Sequence, residues 1–147
     1  MKIFSYKSIL RSVEEGNYSF ALSNCPRCSS SYFNLGNIFF KKGLYLLAIQ
    51  SYKNAIKYEP GYSQAYYNLG NSYYKICNIS YAINSYRKAI DLNTFIFDCY
   101  LNLSIALQAN GDLDSSISYV QKAIIIRPEY VVSYFNLGNI YQEAGRI

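Results

Sequence analysis

Apolar and small residues recur along the chain at helical spacing, in pairs of blocks separated by turn signals. Tyr32, Leu35, Gly36 and Phe39 share one face of a predicted helix, and Gly43 follows. Glycine readily takes the left-handed conformation just past a helix C-terminus, so the helix is expected to stop there. Ala48, Tyr52 and Ala55 mark the face of a second helix, and Pro60 stands after it as a stop. The pattern predicts a helical hairpin.

The hairpin repeats. Asn-Leu falls at 34–35, 68–69, 102–103 and 136–137, a period of 34 residues, each time with an aromatic residue two places before the Asn. A fixed spacing of this size marks a stack of equivalent units, none of which buries its apolar face alone. The 51% hydrophobic content suffices for a continuous core. With 3 Pro and 8 Gly that do not cluster into linkers, the expectation is a single array with no domain boundary.

Composition narrows the chemistry. The chain has no His, which removes Ser-His and Cys-His catalysis, His metal ligands and the usual near-neutral general base. It therefore reads as a non-enzyme without metal or cofactor. The net charge is +5, and the excess is N-terminal: residues 1–74 carry 8 basic and 3 acidic side chains, residues 75–147 carry 6 and 6. The basic residues are spread singly along helical faces as solvated charges are, so no nucleic-acid partner is expected. No apolar run approaches the roughly 18–20 residues of a membrane span, and the N-terminal Met1 to Lys7 lacks a signal-peptide apolar core. No membrane partner is expected, and the default location is the cytosol. Cys25-Pro26-Arg27-Cys28 has C-x-x-C spacing, but without a second pair or a His it makes no structural zinc site; the four cysteines read as free thiols in a reducing compartment.

The repeat resembles the tetratricopeptide repeat (TPR) in its order of aromatic, Leu-Gly, aromatic, Ala, aromatic, Ala and Pro. Residues 29–62 match through Tyr32, Leu35-Gly36, Phe39, Ala48, Tyr52, Ala55 and Pro60. Residues 63–96 match through Tyr66, Leu69-Gly70, Tyr73, Ala82, Tyr86 and Ala89. Residues 97–130 match through Tyr100, Leu103, Ala123 and Pro128, and 131–147 through Tyr134, Leu137-Gly138, Tyr141 and Gly145. The departures keep the mechanical logic of short side chains where helices cross: Ser104 replaces Gly and Ser116 replaces Ala. Cys77 stands at the turn Gly, with Asn78 available as a cap, and Asn93-Thr94 replaces the Pro stop. The resemblance implies an all-α, right-handed superhelical solenoid of antiparallel helix pairs. Residues 1–28 read as a degenerate N-terminal capping helix pair, with helices over 2–14 and about 18–24. Residues 131–147 read as the first helix of a truncated repeat, an excerpt of a longer array.

In such arrays the first helix of each unit lines a concave groove. The signature residues face the second helix, so the remaining stripe at i, i+3, i+4, i+7 is expected to face the groove. The stripe is Ser30, Phe33, Asn34, Asn37, Phe40 and Lys41, then Gln64, Tyr67, Asn68, Asn71, Tyr74 and Lys75. It continues as Asp98, Leu101, Asn102, Ile105, Gln108 and Ala109, then Val132, Phe135, Asn136, Asn139, Gln142 and Glu143. Asn34, Asn68, Asn102 and Asn136 form a ladder, one rung per repeat. A carboxamide carries a donor and an acceptor, so a ladder of them can pair with the backbone of an extended peptide whatever its side chains. The plainer reading is that Asn at this place solvates the groove, in a chain rich in Asn and Tyr throughout.

Two subtypes of the family bear on the partner. The chaperone-cochaperone subtype holds an acidic chain terminus with Lys, Asn, Asn, Lys and Arg; the positions here are Phe33, Asn37, Asn68, Asp98 and Asn102, with no cation and one repelling carboxylate. No acidic chaperone-terminus clamp is expected. The ladder itself resembles the repeat region of O-linked N-acetylglucosamine transferases, which recruits protein substrates. The leading expectation is a protein-interaction module holding an extended peptide segment, with selection by Phe33, Tyr67, Phe135, Lys41 and Lys75. The alternatives are the substrate-recruiting region of a protein-modifying glycosyltransferase, and an assembly scaffold that self-associates through exposed array ends such as the C-terminal helix.

Overall fold

The computed structural model describes residues 28–145, and within them the chain is helical throughout, with no strand. The helices expected over 2–14 and 18–24 lie outside the described residues. Seven helices follow: α1 (Ser29–Lys41), α2 (Tyr45–Tyr58), α3 (Ser63–Lys75), α4 (Ile79–Leu92), α5 (Phe97–Ala109), α6 (Leu113–Ile126) and α7 (Val131–Glu143). The chain divides after Pro60 into two compact units, residues 1–60 and 61–147. Repeat architectures make contacts only between neighbours, so no single core ties all repeats together.

In the first unit α1 packs on α2. In the second, α3 packs on α4, α4 on α5, α5 on α6 and α6 on α7, while α3 touches α5 and α5 touches α7. The first-type helices of this unit thus lie side by side. The repeated small residues have a direct geometric cause. A Cβ on Gly36 would sit 2.5 Å from Tyr52 Cε1, and one on Gly70 would sit 2.6 Å from Tyr86 Cδ1. Tyr52 and Tyr86 are each 1% exposed, so each ring occupies the space the glycine leaves.

The third repeat solves the same problem with different residues. Val120 stands where Tyr52 and Tyr86 stand, and a shorter side chain there admits Ser104 in place of glycine. Both hydroxyls at this crossing are satisfied: Ser104 Oγ donates to Leu101 O at 2.8 Å, and Ser116 Oγ donates to Ser104 O at 2.7 Å.

The turns show where the sequence departs from the pattern. Gly43 and Gly111 adopt φ of 74° and 80°, and Cys77 adopts φ 59°, a left-handed conformation that carries a steric cost for a residue with a Cβ. Asn78 occupies the N-cap position of α4 but makes no side-chain cap bond, contrary to expectation. Asp112 does cap α6, accepting from Ser115 N at 3.1 Å, and this bonding holds its carboxyl below the usual range. The missing Pro stop after α4 is replaced by a local turn in which Asn93 Oδ1 accepts from Phe95 N at 3.0 Å.

The expectation of four free thiols is also corrected. Cys28 is disulfide-bonded, whereas Cys77 and Cys99 are free.

Candidate functional site

The stripe residues divide between the two units. In the first, Asn37 Oδ1 accepts from the Tyr52 hydroxyl at 2.8 Å, and the Phe33 ring lies 5.9 Å from that of Tyr52. Asn34 is exposed, as is Lys41 in the last turn of α1. Phe40 is half-buried and meets Tyr45 edge-on at 5.4 Å. Asn37 is therefore tied to its own hairpin, a role that its place in the stripe did not reveal.

The second unit repeats this arrangement and extends it. Asn71 Oδ1 accepts from the Tyr86 hydroxyl at 2.8 Å, and the Tyr67 ring lies 6.1 Å from that of Tyr86. Asn102, on α5, reaches across to α3: its Nδ2 donates to Asn71 Oδ1 at 2.9 Å and to the Tyr67 hydroxyl at 3.2 Å. Both amide protons of Asn102 are thereby used, and its Oδ1 keeps its capacity to accept. One step further, Gln108 Nε2 on α5 donates to Glu143 Oε2 on α7 at 2.6 Å. These bonds bring Tyr67, Asn71, Asn102, Gln108 and Glu143 onto one surface built by α3, α5 and α7.

Burial disfavours ionisation of the two tyrosines in this network. It raises the Tyr86 hydroxyl well above the ordinary tyrosine range, and raises Tyr67 as well. Cys99 is fully buried beneath the same region, where burial and then the Asp98 carboxylate push its thiol up to about 12. Its Sγ donates to Tyr86 O at 3.4 Å.

The ladder is not uniform. Asn102 finds its partners at Tyr67 and Asn71; the equivalent positions one repeat on are Leu101 and Ile105, neither of which can hydrogen-bond through its side chain. Asn136 is half-buried and has no such tether, and Asn68 is half-buried. Tyr74 is half-buried, Lys75 is exposed, and Phe135 and Asn139 are exposed on α7. Leu101 is a correction: expected in the groove, it is 6% exposed and belongs to a core cluster with Val120 and Ile140.

Matches to the TPR repeat cover residues 36–76, and matches to the tetratricopeptide repeat cover residues 63–93 and 97–127. The chain belongs to the tetratricopeptide repeat family. Its fold is the all-α solenoid of that family, and such repeats make it a protein-interaction module. No curated protein matches it. Among solved structures, a crystal structure of MamA is similar with a TM-score of 0.84 and 27% identity, covering 99% of this chain and 86% of that one. A second crystal structure of MamA gives 0.83 and 29%, covering 88% and 70%. The first TPR of Spaghetti (RPAP3), bound to the HSP90 peptide SRMEEVD, gives 0.77 at 20% identity, covering 80% and 93%; at that identity the likeness concerns the fold alone. Among the described residues, no helix of this TPR chain is long and apolar enough to cross a membrane.

Proposed function

We propose that this TPR chain holds an extended peptide segment along the face of its first-type helices, using the ladder Asn34, Asn68, Asn102 and Asn136. The observation that supports this most directly is the pair of bonds from Asn102 Nδ2 to Asn71 and Tyr67. A carboxamide fixed in this way is pre-organised, so binding costs little side-chain entropy. With its donors used, Asn102 pairs with an N–H of the ligand backbone, while the untethered Asn136 offers both donor and acceptor.

Side-chain selection falls to Phe33, Tyr67 and Phe135, with Lys41 and Lys75 favouring acidic neighbours. An acidic chain terminus clamped by several cations is not the ligand, because the matching positions hold Phe33 and Asp98. Recruitment for a protein-modifying glycosyltransferase rests on the same four Asn and adds no residue of its own.

The test is a pull-down with the 147-residue chain and a variant carrying Ala at Asn34, Asn68, Asn102 and Asn136. Ligand capture should fall at least tenfold in the variant. An Asn34 and Asn136 double variant, which breaks none of the bonds described above, separates binding from stability. Capture unchanged by either variant rules the ladder out.

A further inference from the structure

The turn of the first hairpin carries exposed apolar side chains that the fold does not call for. Leu44 is the N-cap residue of α2 and is 41% exposed, and Leu46 in the first turn of that helix is 71% exposed. Asn78 and Asp112 hold the N-cap place in α4 and α6, where Asp112 accepts from Ser115 N. A leucine makes no such bond and leaves the helix start weaker. Ser80 and Asp114 stand where Leu46 stands, and all three are exposed. The position therefore faces outward in every described hairpin, and packing does not account for leucine in the first.

Charge sets the same turn apart. Lys41 and Lys42 precede Leu44 and are exposed, whereas the third hairpin has Ala109 and Asn110 at those places, with Asp112 and Asp114 just after. Residues 29–58 carry Lys41, Lys42, Lys53 and Lys57 and no Asp or Glu. Exposed leucines in a cationic stretch free of carboxylates complement a surface that is anionic outside and apolar beneath. The turn is also held in one conformation. Leu44 N donates to Phe39 O at 2.9 Å, Gly43 N donates to Phe40 O at 3.0 Å, and Phe40 meets Tyr45 edge-on. Little backbone freedom is left to lose on docking.

We propose that the 41–46 turn docks on the surface of an anionic lipid bilayer, with Leu44 and Leu46 entering the boundary between headgroups and acyl chains and Lys42 reaching lipid phosphates. A lysine stem lies along apolar surface while its ammonium stays in the polar layer, so cation and leucine act at different depths. One six-residue turn is far smaller than the roughly 20–30 residues a side of a stable protein interface, whereas a bilayer surface needs only inserted apolar groups and cations. Such peripheral attachment requires no membrane-crossing helix, and it departs from the sequence expectation of no membrane partner.

The test is flotation of the 147-residue chain with vesicles of phosphatidylcholine alone and of phosphatidylcholine with phosphatidylserine. Partition onto the anionic vesicles is expected, about tenfold or more above the neutral ones, and weakened by salt. Leu44→Asn with Leu46→Ser installs the residues of the second hairpin; this double variant should melt no lower than the parent and partition about tenfold less. Lys42→Glu should lower partition about tenfold as well. The chain contains no Trp, so Leu46→Trp supplies a single reporter whose emission should shift to the blue on the anionic vesicles. No partition onto anionic vesicles, partition unchanged by the double leucine variant, or unshifted emission from the vesicle-bound Leu46→Trp chain overturns the proposal. So does saturable binding of polyglutamate that Lys42→Glu and the double variant both abolish, without partition onto vesicles, because an acidic polypeptide would then be the occupant.

Discussion

Gly70 and Gly138 hold the same place in the repeat, yet alanine should act in opposite directions at the two positions. At Gly70 the new Cβ would lie 2.6 Å from both Cδ1 and Cε1 of Tyr86. Carbon atoms rest about 3.5–4.0 Å apart, so the ring must retreat by roughly 1 Å. Tyr86 is 1% exposed and its hydroxyl is bonded to Asn71 at 2.8 Å, so it cannot retreat without disturbing the core and the network together. Overpacking of this kind costs about 1–3 kcal/mol, against a helix-propensity gain of about 1 kcal/mol for replacing an interior glycine. The net expectation for Gly70→Ala is a loss of up to about 2 kcal/mol. At Gly138 nothing lies within 4 Å, so only the propensity term acts and Gly138→Ala should gain about 0.5–1 kcal/mol. Urea unfolding followed by circular dichroism reads both. With slopes of about 1–3 kcal/mol per molar urea, the two midpoints should separate by about 1 M. If Gly70→Ala stabilises as much as Gly138→Ala, the claim that the buried tyrosine dictates the glycine is refuted.

Three further outcomes follow from local geometry. Cys77→Gly should stabilise by about 0.5–1 kcal/mol in the same urea assay, because relief of a left-handed residue at φ 59° exceeds the entropic cost of glycine. Ser133 Oγ is buried without a hydrogen-bond partner, and the equivalent position in the second repeat is the fully buried Ala65, so Ser133→Ala should raise the urea midpoint by the equivalent of about 1 kcal/mol. Of the two free thiols described, exposed Cys77 should be alkylated within minutes at pH 8, whereas Cys99, buried and pushed up to about 12, should react only after unfolding; mass mapping of the labelled sites checks this.

The helix pairs were legible because their determinants are local and repeated: apolar spacing, turn glycines and the proline stop predict each hairpin, and α1 to α7 fall where the 34-residue period puts them. The small residues at Gly36 and Gly70 were legible as close-contact positions. What they contact was not, because Tyr52 and Tyr86 sit 16 residues away and only the packed hairpin brings ring and glycine together. The groove was partly legible. Helical periodicity assigned Tyr67, Asn71 and Asn102 to one stripe, and hydrogen bonds between α3 and α5 join them. Periodicity could not separate Asn37 and Asn71, which serve their own hairpins, from Asn136, because both kinds share a face. Nor could it exclude Leu101, whose burial arises in a cluster with Val120 and Ile140 on other helices. The missing cap at Asn78 and the bridge at Cys28 depend on backbone geometry that residue type alone does not set.

The central claim is that ligand lies along the first-type helices and engages the carboxamides of the ladder. The most direct measurement is the side-chain amide spectrum of uniformly ¹⁵N-labelled protein as captured peptide is added. The account predicts saturable shifts of the Asn102 and Asn136 NH₂ resonances, with smaller changes on the outer helices α2, α4 and α6. Shifts confined to those outer helices, with the Asn102 and Asn136 signals unmoved at saturation, would contradict it.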